Sequence, residues 1–185
     1  MDAEELLKRY AEGERDFSGI ELTGIKLQGA NLKDINLSHA GLLEVELEGA
    51  NLTRAILNST SFELTDLSHA VIDEANLSKA SLGDSGLESA SLQRVNMSYA
   101  MLQQVNAKDV NLRNANLKNS IIVETNLDRA ILEGADLTNA MLAETYLDYA
   151  NLRGAIVTGC DLDEPYKRNT IMPDGKVVSD PDYKP

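Results

Sequence analysis

The sequence predicts an all-β solenoid, a narrow tube that winds around an apolar axis, and two observations carry that prediction. The first is a five-residue repeat that runs from Ile20 to Glu164, with 29 bulky apolar centre residues between Leu22 and Leu162, of which 23 are leucine. The second is the residue two positions before each centre, which is alanine in 15 units and otherwise only Ile, Val, Thr, Ser or Cys. Neither column contains a charge, so both must face a common interior.

A period of five fits neither a helix nor a continuous strand, whose apolar periods are 3.6 and 2 residues. Ala30 and Leu32 lie two apart and point to the same side of an extended segment. Ile35 can face the same interior only if the backbone turns at Lys33 and Asp34. The corner positions are rich in Gly, Asn, Asp, Ser and Lys, most of them residues typical of tight turns. The chain is therefore expected to turn once in every unit.

The repeat resembles that of the pentapeptide-repeat family, and in particular its stand-alone cyanobacterial members. The signature is clear in ANLKD at 30–34, ANLSK at 75–79 and ADLTN at 135–139. The resemblance implies a right-handed quadrilateral β-helix with 20 residues per coil and about seven coils. It also implies a solenoid stabilised by contacts between neighbouring coils.

Three segments follow from the limits of the repeat: a capping helix and lead-in at 1–19, the β-helix at 20–164, and an irregular cap and tail at 165–185. Asp2 and Glu5 form a candidate capping box, and Gly13 is a natural helix end. Leu6, Leu7, Tyr10 and Ala11 are expected to form the apolar face of this helix. After Pro165, two short apolar runs flank a Pro-Asp-Gly turn at 173–175, which indicates a lid for the last coil.

The sequence contains no sign of catalysis. His39 and His69 fall on different faces of a 20-residue coil, Cys160 occupies an inward position, and no phosphate loop or metal motif is present. The acidic clusters Asp73-Glu74 and Asp161-Glu164 lack the ligand spacing of a known cation loop. A leucine-filled core is expected to leave no concave pocket. We therefore expect a protein that is not an enzyme and has no cofactor or metal.

The composition of the sequence indicates where the protein is located and which partners it can bind. No stretch has the character of a signal peptide or a membrane span, so we expect a cytoplasmic protein that makes no membrane contact. The formal net charge is −13. When charges are summed over the four faces of a 20-residue coil, the faces centred on Leu32 and Leu37 each carry only +1. Direct binding to nucleic acid is therefore not expected.

The negative charge lies mainly on one face, which we call the acidic face. Its centres are Leu22, Leu42, Phe62, Leu82, Leu102, Ile122, Leu142 and Leu162. It carries no Lys or Arg, and its carboxylates are Glu21, Glu44, Glu63, Asp84, Glu124, Glu144, Asp161, Asp163 and Glu164. The neighbouring face, centred on Leu27, sums to −4.

Outward apolar residues occur on the same face. Met101, Ile121 and Met141 precede successive centres and should stack in one column, which we call the apolar column. Leu43, Val123 and Ala143 follow centres of that face. An apolar stripe rimmed by carboxylates is more than solubility requires, and it is typical of either a partner site or a surface covered by a second copy or by the tail.

Two functions fit this surface. The first is a binding or scaffold module that contacts an unidentified protein partner through Glu44, Glu63, Met101, Ile121, Val123, Glu124, Met141 and Glu144. The second, suggested by the family resemblance, is a DNA mimic that inhibits or protects a DNA-binding enzyme such as gyrase. Relatives of the second kind commonly dimerise through a C-terminal helix, which the Pro-rich end here does not offer. A monomer or weak dimer is expected.

Overall fold

The computed structural model describes residues 1–180 and forms one right-handed β-helix. Parallel bridges pair residues 20 apart, beginning with Asp16 and Asn36 and ending with Asn151 and Ile171. This register confirms the coil of 20 residues, and therefore four pentapeptide units per coil and about seven coils for the repeat. The last five residues of the predicted C-terminal tail lie outside the described residues.

The centre and small columns fill the interior as predicted. Nearly every leucine centre is at most 3% exposed, and the only Phe centre, Phe62, is fully buried. Ala107, the smallest centre residue, is also buried, and Val105 and Val110 are buried beside it. Burial of these columns is the main stabilising term, at about 1.5–3 kcal/mol for each large side chain before chain ordering is subtracted.

Three faces turn by the same tight corner. The backbone N–H three residues after a centre donates to that centre's carbonyl, as from Ala50 to Leu47 at 3.0 Å. The corner residue before it adopts a left-handed conformation even where it is not glycine, with φ of 60° at Asp34 and His39. An asparagine before the centre often accepts from the backbone two residues later, as from Thr53 N to Asn51 Oδ1 at 3.0 Å. Asparagine side chains of successive coils also hydrogen-bond each other, as from Asn116 Nδ2 to Asn96 Oδ1 at 3.0 Å.

The acidic face is built differently, because it carries three-residue strands instead of single bridges. They are β1 (Glu21–Thr23), β2 (Gly41–Leu43), β3 (Ser61–Glu63), β4 (Met101–Gln103), β5 (Ile121–Val123) and β6 (Met141–Ala143). The strands form two parallel sheets, β1-β2-β3 and β4-β5-β6. Ser81 bridges both Ser61 and Met101, so the ladder continues between the sheets. The result is a flatter and more extended surface than on the other faces.

The residues at the corner after the acidic face explain this difference. Six of the seven are β-branched (Ile25, Val45, Thr65, Val105, Thr125 and Thr145), whereas alanine predominates at the other corners. A larger branched side chain fills a wider corner. Even on the other faces, the turn bond lengthens to 3.3 Å at Val95 and Val110. The exception is Ser85, which follows Gly83 and does form the tight turn, with its N–H 3.4 Å from Leu82 O.

The N-terminal end is covered by α1 (Ala3–Ala11). The Asp2 carboxylate caps it by accepting from Glu5 N at 2.8 Å. Leu6 is fully buried, and Tyr10 donates its hydroxyl to Lys33 O at 2.7 Å, so both seal the first coil. Leu7 is 38% exposed and Ala11 also faces solvent, so the predicted apolar face of the helix is narrower than expected. At nine residues, this one helix within residues 1–180 is not long enough to cross a membrane.

The C-terminal end is closed by the predicted turn. β7 (Thr170–Ile171) and β8 (Val177–Val178) pair antiparallel on either side of Pro173–Gly175. Lys167, only 5% exposed, donates from Nζ to Leu162 O and Pro165 O at 2.8 and 2.6 Å.

The parallel ladder extends further than the predicted β-helix segment at both ends. Phe17 is 1% exposed, and the bridge between Asp16 and Asn36 begins four residues before Ile20. Tyr166 and Ile171 continue the ladder after Glu164. The sequence pattern did not include this first unit, because charged Arg15 occupies the position at which the other units have a small or β-branched uncharged residue.

Candidate functional site

The apolar column forms as the sequence predicts. Met101, Ile121 and Met141 are register partners in β4, β5 and β6. They are 49%, 43% and 53% exposed, although all three side chains are large and apolar. Val123 and Ala143 lie two residues further along β5 and β6 and are half-buried. The column is therefore the middle of an apolar patch on a flat sheet.

The eight residues predicted for partner binding divide into two groups. Met101, Ile121, Val123, Glu124, Met141 and Glu144 lie in or directly after three successive strands, β4 to β6. Glu44 directly follows β2 and Glu63 ends β3, and the coil of Ser81 and Asp84 separates them from Met101. All four glutamates are exposed. A small partner segment can contact the first group alone.

The carboxylates of the acidic face have no cation beside them. Within residues 1–180, none of the nine carboxylates lies within 4 Å of a Lys, Arg or His nitrogen. The other faces carry ion pairs between successive coils, such as Arg54 with Asp34 at 2.8 Å and Arg94 with Glu74 at 2.6 Å. The side-chain hydrogen bond from Arg94 lowers the pKa of Glu74. The acidic face therefore keeps its full negative charge available for a partner.

A groove opens at the edge of this patch, where the acidic face meets the face centred on Leu27. Its volume is about 460 Å³. Glu88, Gln104, Asn106, Lys108, Glu124, Asn126 and Tyr146 line it, together with Val105. Glu124 accepts from Gln104 Nε2 at 2.9 Å, and Glu88 accepts from Asn106 Nδ2 at 3.3 Å. The predicted absence of a concave pocket is therefore wrong at the surface, although the interior is filled as expected.

Sequence reasoning missed two parts of this surface. Tyr99 and Leu64 are 58% and 51% exposed at corners that lead into and out of the acidic face. The groove combines side chains from two faces across a corner, so a charge sum over single faces does not reveal it. The signal that was present is the 20-residue spacing of Gln104 and Glu124, and of Asn106, Asn126 and Tyr146.

Two observations concern the metal-ligating side chains and the single cysteine. Within residues 1–180, no three side chains of the metal-ligating type are grouped so as to hold a metal ion. Burial raises the pKa of the Cys160 thiol to about 11, which leaves it protonated and unreactive at neutral pH. Cys160 is half-buried, because the chain leaves the ladder at Asp161.

An acidic pair lies on the face centred on Leu27. The Asp148 carboxylate is 4% exposed and contacts Arg168 Nη2 at 2.8 Å. Desolvation raises the pKa of Asp128, whose Oδ1 accepts from Asp148 N at 3.0 Å. Arg168 belongs to the C-terminal cap, so this pair ties the cap to the last coils.

The family comparison agrees with this architecture. The profile for pentapeptide repeats matches eight copies in residues 16–54, 46–84, 90–129 and 120–159. These matches cover most of the chain, which is thus a right-handed β-solenoid of the quadrilateral class. The protein belongs to the pentapeptide-repeat family. No curated protein sequence matches the chain.

The chain is also similar to several proteins of known structure. HetL from the cyanobacterium Nostoc, a pentapeptide-repeat protein involved in heterocyst differentiation regulation, is 30% identical over 96% of this chain and 100% of its own, with a TM-score of 0.31. QnrB1, a plasmid-mediated fluoroquinolone resistance protein, is 17% identical over 83% of this chain and 92% of its own, with a TM-score of 0.45. A pentapeptide-repeat protein of the Arabidopsis thaliana thylakoid lumen is 23% identical over 78% and 70%, with a TM-score of 0.29.

Proposed function

We propose that this protein is a non-enzymatic binding module that contacts a protein partner through the upper part of its acidic face, from β4 to β6. One observation carries the proposal: three large apolar side chains stand exposed in consecutive coils, on the face whose carboxylates have no Lys, Arg or His nitrogen of residues 1–180 within 4 Å. Elsewhere an exposed isoleucine in the same position of the unit stands singly. Ile56 lies between Asn36 and Asn76, and Ile156 pairs with Asp136.

The surface has the composition of a protein interface. An apolar centre with a polar rim is the usual arrangement, and methionine is enriched at such centres. Met side chains also adapt to different partner shapes. The rigid ladder below the patch keeps Met101, Ile121 and Met141 in register, so little ordering is required when a partner binds.

The test is a capture experiment with matched charge insertions. Ile121→Lys with Met141→Lys places two cations in the apolar column, whereas Ile56→Lys with Ile156→Lys places two cations in the same position of the unit on another face, at 44% and 50% exposure. Immobilised wild-type protein and the control variant should retain the same protein from a lysate of the source cells, and the first variant should lose it. Equal retention by both variants would remove this face from consideration.

DNA mimicry is the second candidate, and the nine carboxylates of the acidic face favour it. They extend over about seven coils, or roughly 34 Å at ~4.8 Å per coil. This gives one charge per ~4 Å, compared with one per ~1.7 Å for duplex DNA. The charge density is thus less than half that of DNA, which ranks this function behind an apolar protein contact.

A gyrase supercoiling assay tests the second candidate directly. Rising amounts of protein are compared with a variant that has Glu44, Glu63, Glu124 and Glu144 changed to Gln. Inhibition that the Gln variant loses supports mimicry of DNA by the acidic face. An unchanged reaction at micromolar protein argues against gyrase as the target.

A further inference from the structure

We propose that the partner presents an amphipathic helix that lies along the tube axis, with one apolar side chain per turn on the apolar column and an arginine in the neighbouring groove. This inference rests on the proposed function, because it specifies the partner of the same face. It combines two features that lie side by side: the exposed column of β4 to β6, and the groove lined by Gln104, Glu124 and Tyr146.

The spacing of the column selects a helix. Met101, Ile121 and Met141 are stacked at about 4.8 Å, the distance between paired strands. A helix repeats every 5.4 Å, so over two steps its mismatch with the column is only about 1.2 Å. In an extended segment, side chains on one face repeat every ~6.6 Å, and the same two steps would be out of register by about 3.6 Å. A helix with apolar residues at i, i+4 and i+7 therefore fits the column.

Addition of a strand is not an alternative within the patch itself. The backbone of β5 already pairs with β4 on one side and β6 on the other. Its outward side chains, not its backbone, are what a partner meets. Recognition must therefore use the side chains of the column and its rim, as when an amphipathic helix docks on a hydrophobic surface.

The groove supplies the polar half of the site. Glu124 lines the groove and also borders the apolar patch, because it directly follows Val123 of β5. Glu88 lies on the other side of the groove, Asn106 and Asn126 offer amide oxygens, and the Tyr146 ring is 39% exposed. Lys108 also lines the groove, so Glu88, Glu124 and Lys108 together give the groove a net charge of −1. This set suits a planar guanidinium, which donates hydrogen bonds to several oxygen acceptors in a fork and stacks on aromatic rings.

A second copy of this chain does not fit the same position. A symmetric dimer through this face would bring two sets of Glu124, Glu144, Asp161, Asp163 and Glu164 together without an intervening cation. Like charges that face each other across an interface oppose association. The occupant must instead carry positive charge, which the flanking arginine of the helix provides.

The test begins with a library of random 16-residue peptides displayed on phage. The library is depleted on the Ile121→Lys variant and then selected on wild-type protein. We expect enriched sequences with apolar residues at i, i+4 and i+7 and an arginine on one flank. Enriched sequences with a period of two, or without a basic residue, would overturn the helix and arginine assignment but keep the face as a binding site. No enrichment over the depleted library would reject the proposed function and this inference together.

Fluorescence anisotropy of the best enriched peptide then locates the arginine. Glu124→Gln should weaken binding at least tenfold, and arginine-to-lysine substitution in the peptide should weaken it several-fold. Glu48→Gln, a change to an exposed glutamate on the face centred on Leu27 but outside the groove, should leave the affinity unchanged. Equal affinities for Glu124→Gln and wild type would place the basic side chain elsewhere and refute the groove as its site.

Discussion

Thr125 offers a direct measure of what holds the acidic face in its flat form. Its side chain is fully buried, and its hydroxyl donates to Leu102 O at 3.0 Å, in the preceding strand of the face, and lies 3.0 Å from Val123 O. Thr65 and Thr145 make the same contacts to Leu42 O and Ile122 O at 3.0 and 3.1 Å. On the other faces, the carbonyl of a centre residue accepts from the backbone N–H three residues later, as Leu47 O does from Ala50 N. The threonine hydroxyl thus replaces a backbone donor at the wide corner.

Three substitutions separate the contributions of this side chain. Thr125→Val keeps the shape and removes the hydrogen bond, which should destabilise the fold by about 1 kcal/mol. Thr125→Ser keeps the hydroxyl and removes a buried methyl, for a similar loss of about 1 kcal/mol. Thr125→Ala removes both and should cost about 2 kcal/mol, with some addition for the cavity.

The assay is thermal and urea unfolding followed by circular dichroism. At about 2–4 °C per kcal/mol for a chain of this size, the midpoint should fall by ~3 °C for Val and ~6 °C for Ala. Thr23→Val, at an exposed position of β1, is the control and should change the stability by less than ~0.5 kcal/mol. If Thr125→Val were as stable as wild type while Thr125→Ala lost stability, the hydroxyl would have no part in maintaining the corner.

Three further predictions concern the ends and corners. Asp128→Asn should stabilise the protein at pH 7, because the raised pKa of Asp128 means that its ionisation favours the unfolded state; the gain should vanish as the pH falls below the ordinary value of 3.8 in a titration of unfolding midpoints. Lys167→Met should destabilise the C-terminal cap by about 3 kcal/mol, because the carbonyls of Leu162 and Pro165 and the carboxylate of Asp180 lose their buried cation. Limited proteolysis should cut the cap earlier in this variant than in the control Lys176→Met, which changes an exposed lysine. Gly134→Ala should lower the unfolding midpoint more than Gly29→Ala: both glycines have left-handed φ, 67° and 64°, but only at Gly134 would the new Cβ meet a neighbour, the side-chain oxygen of Asn114.

The five-residue period was sufficient to predict the fold, because it records a physical constraint that every coil repeats. Leu32, Leu52 and their equivalents can all be buried only if the chain turns once in each unit, and the structure has this geometry in every coil. The ends were harder to predict. Arg15 breaks the sequence pattern although Phe17 is buried and Asp16 already pairs with Asn36.

The candidate site was predictable only in part. A 20-residue register places Met101, Ile121 and Met141 in one column, and the structure agrees. Within residues 1–180, the acidic face has no ion pairs partly because it lacks Lys and Arg. This absence also depends on how far the side chains of neighbouring faces reach, which the sequence does not show. The groove beside Glu124 depends on such reach across a corner, so its shape required coordinates.

The flatness of the acidic face and its apolar residues have a common origin in the repeat. In a tight corner, an asparagine before the centre accepts the backbone N–H two residues later, as Asn51 and Asn126 do. From Glu21 to Met141 the acidic face has no Asn or Asp at that position, and in every coil except that of Ser81 the N–H joins the ladder of a three-residue strand instead. The position is then released from its role in the turn, and any side chain that points outward can occupy it. A solenoid can thus build one interaction surface without an inserted loop, by giving up the asparagine in consecutive coils of a single face.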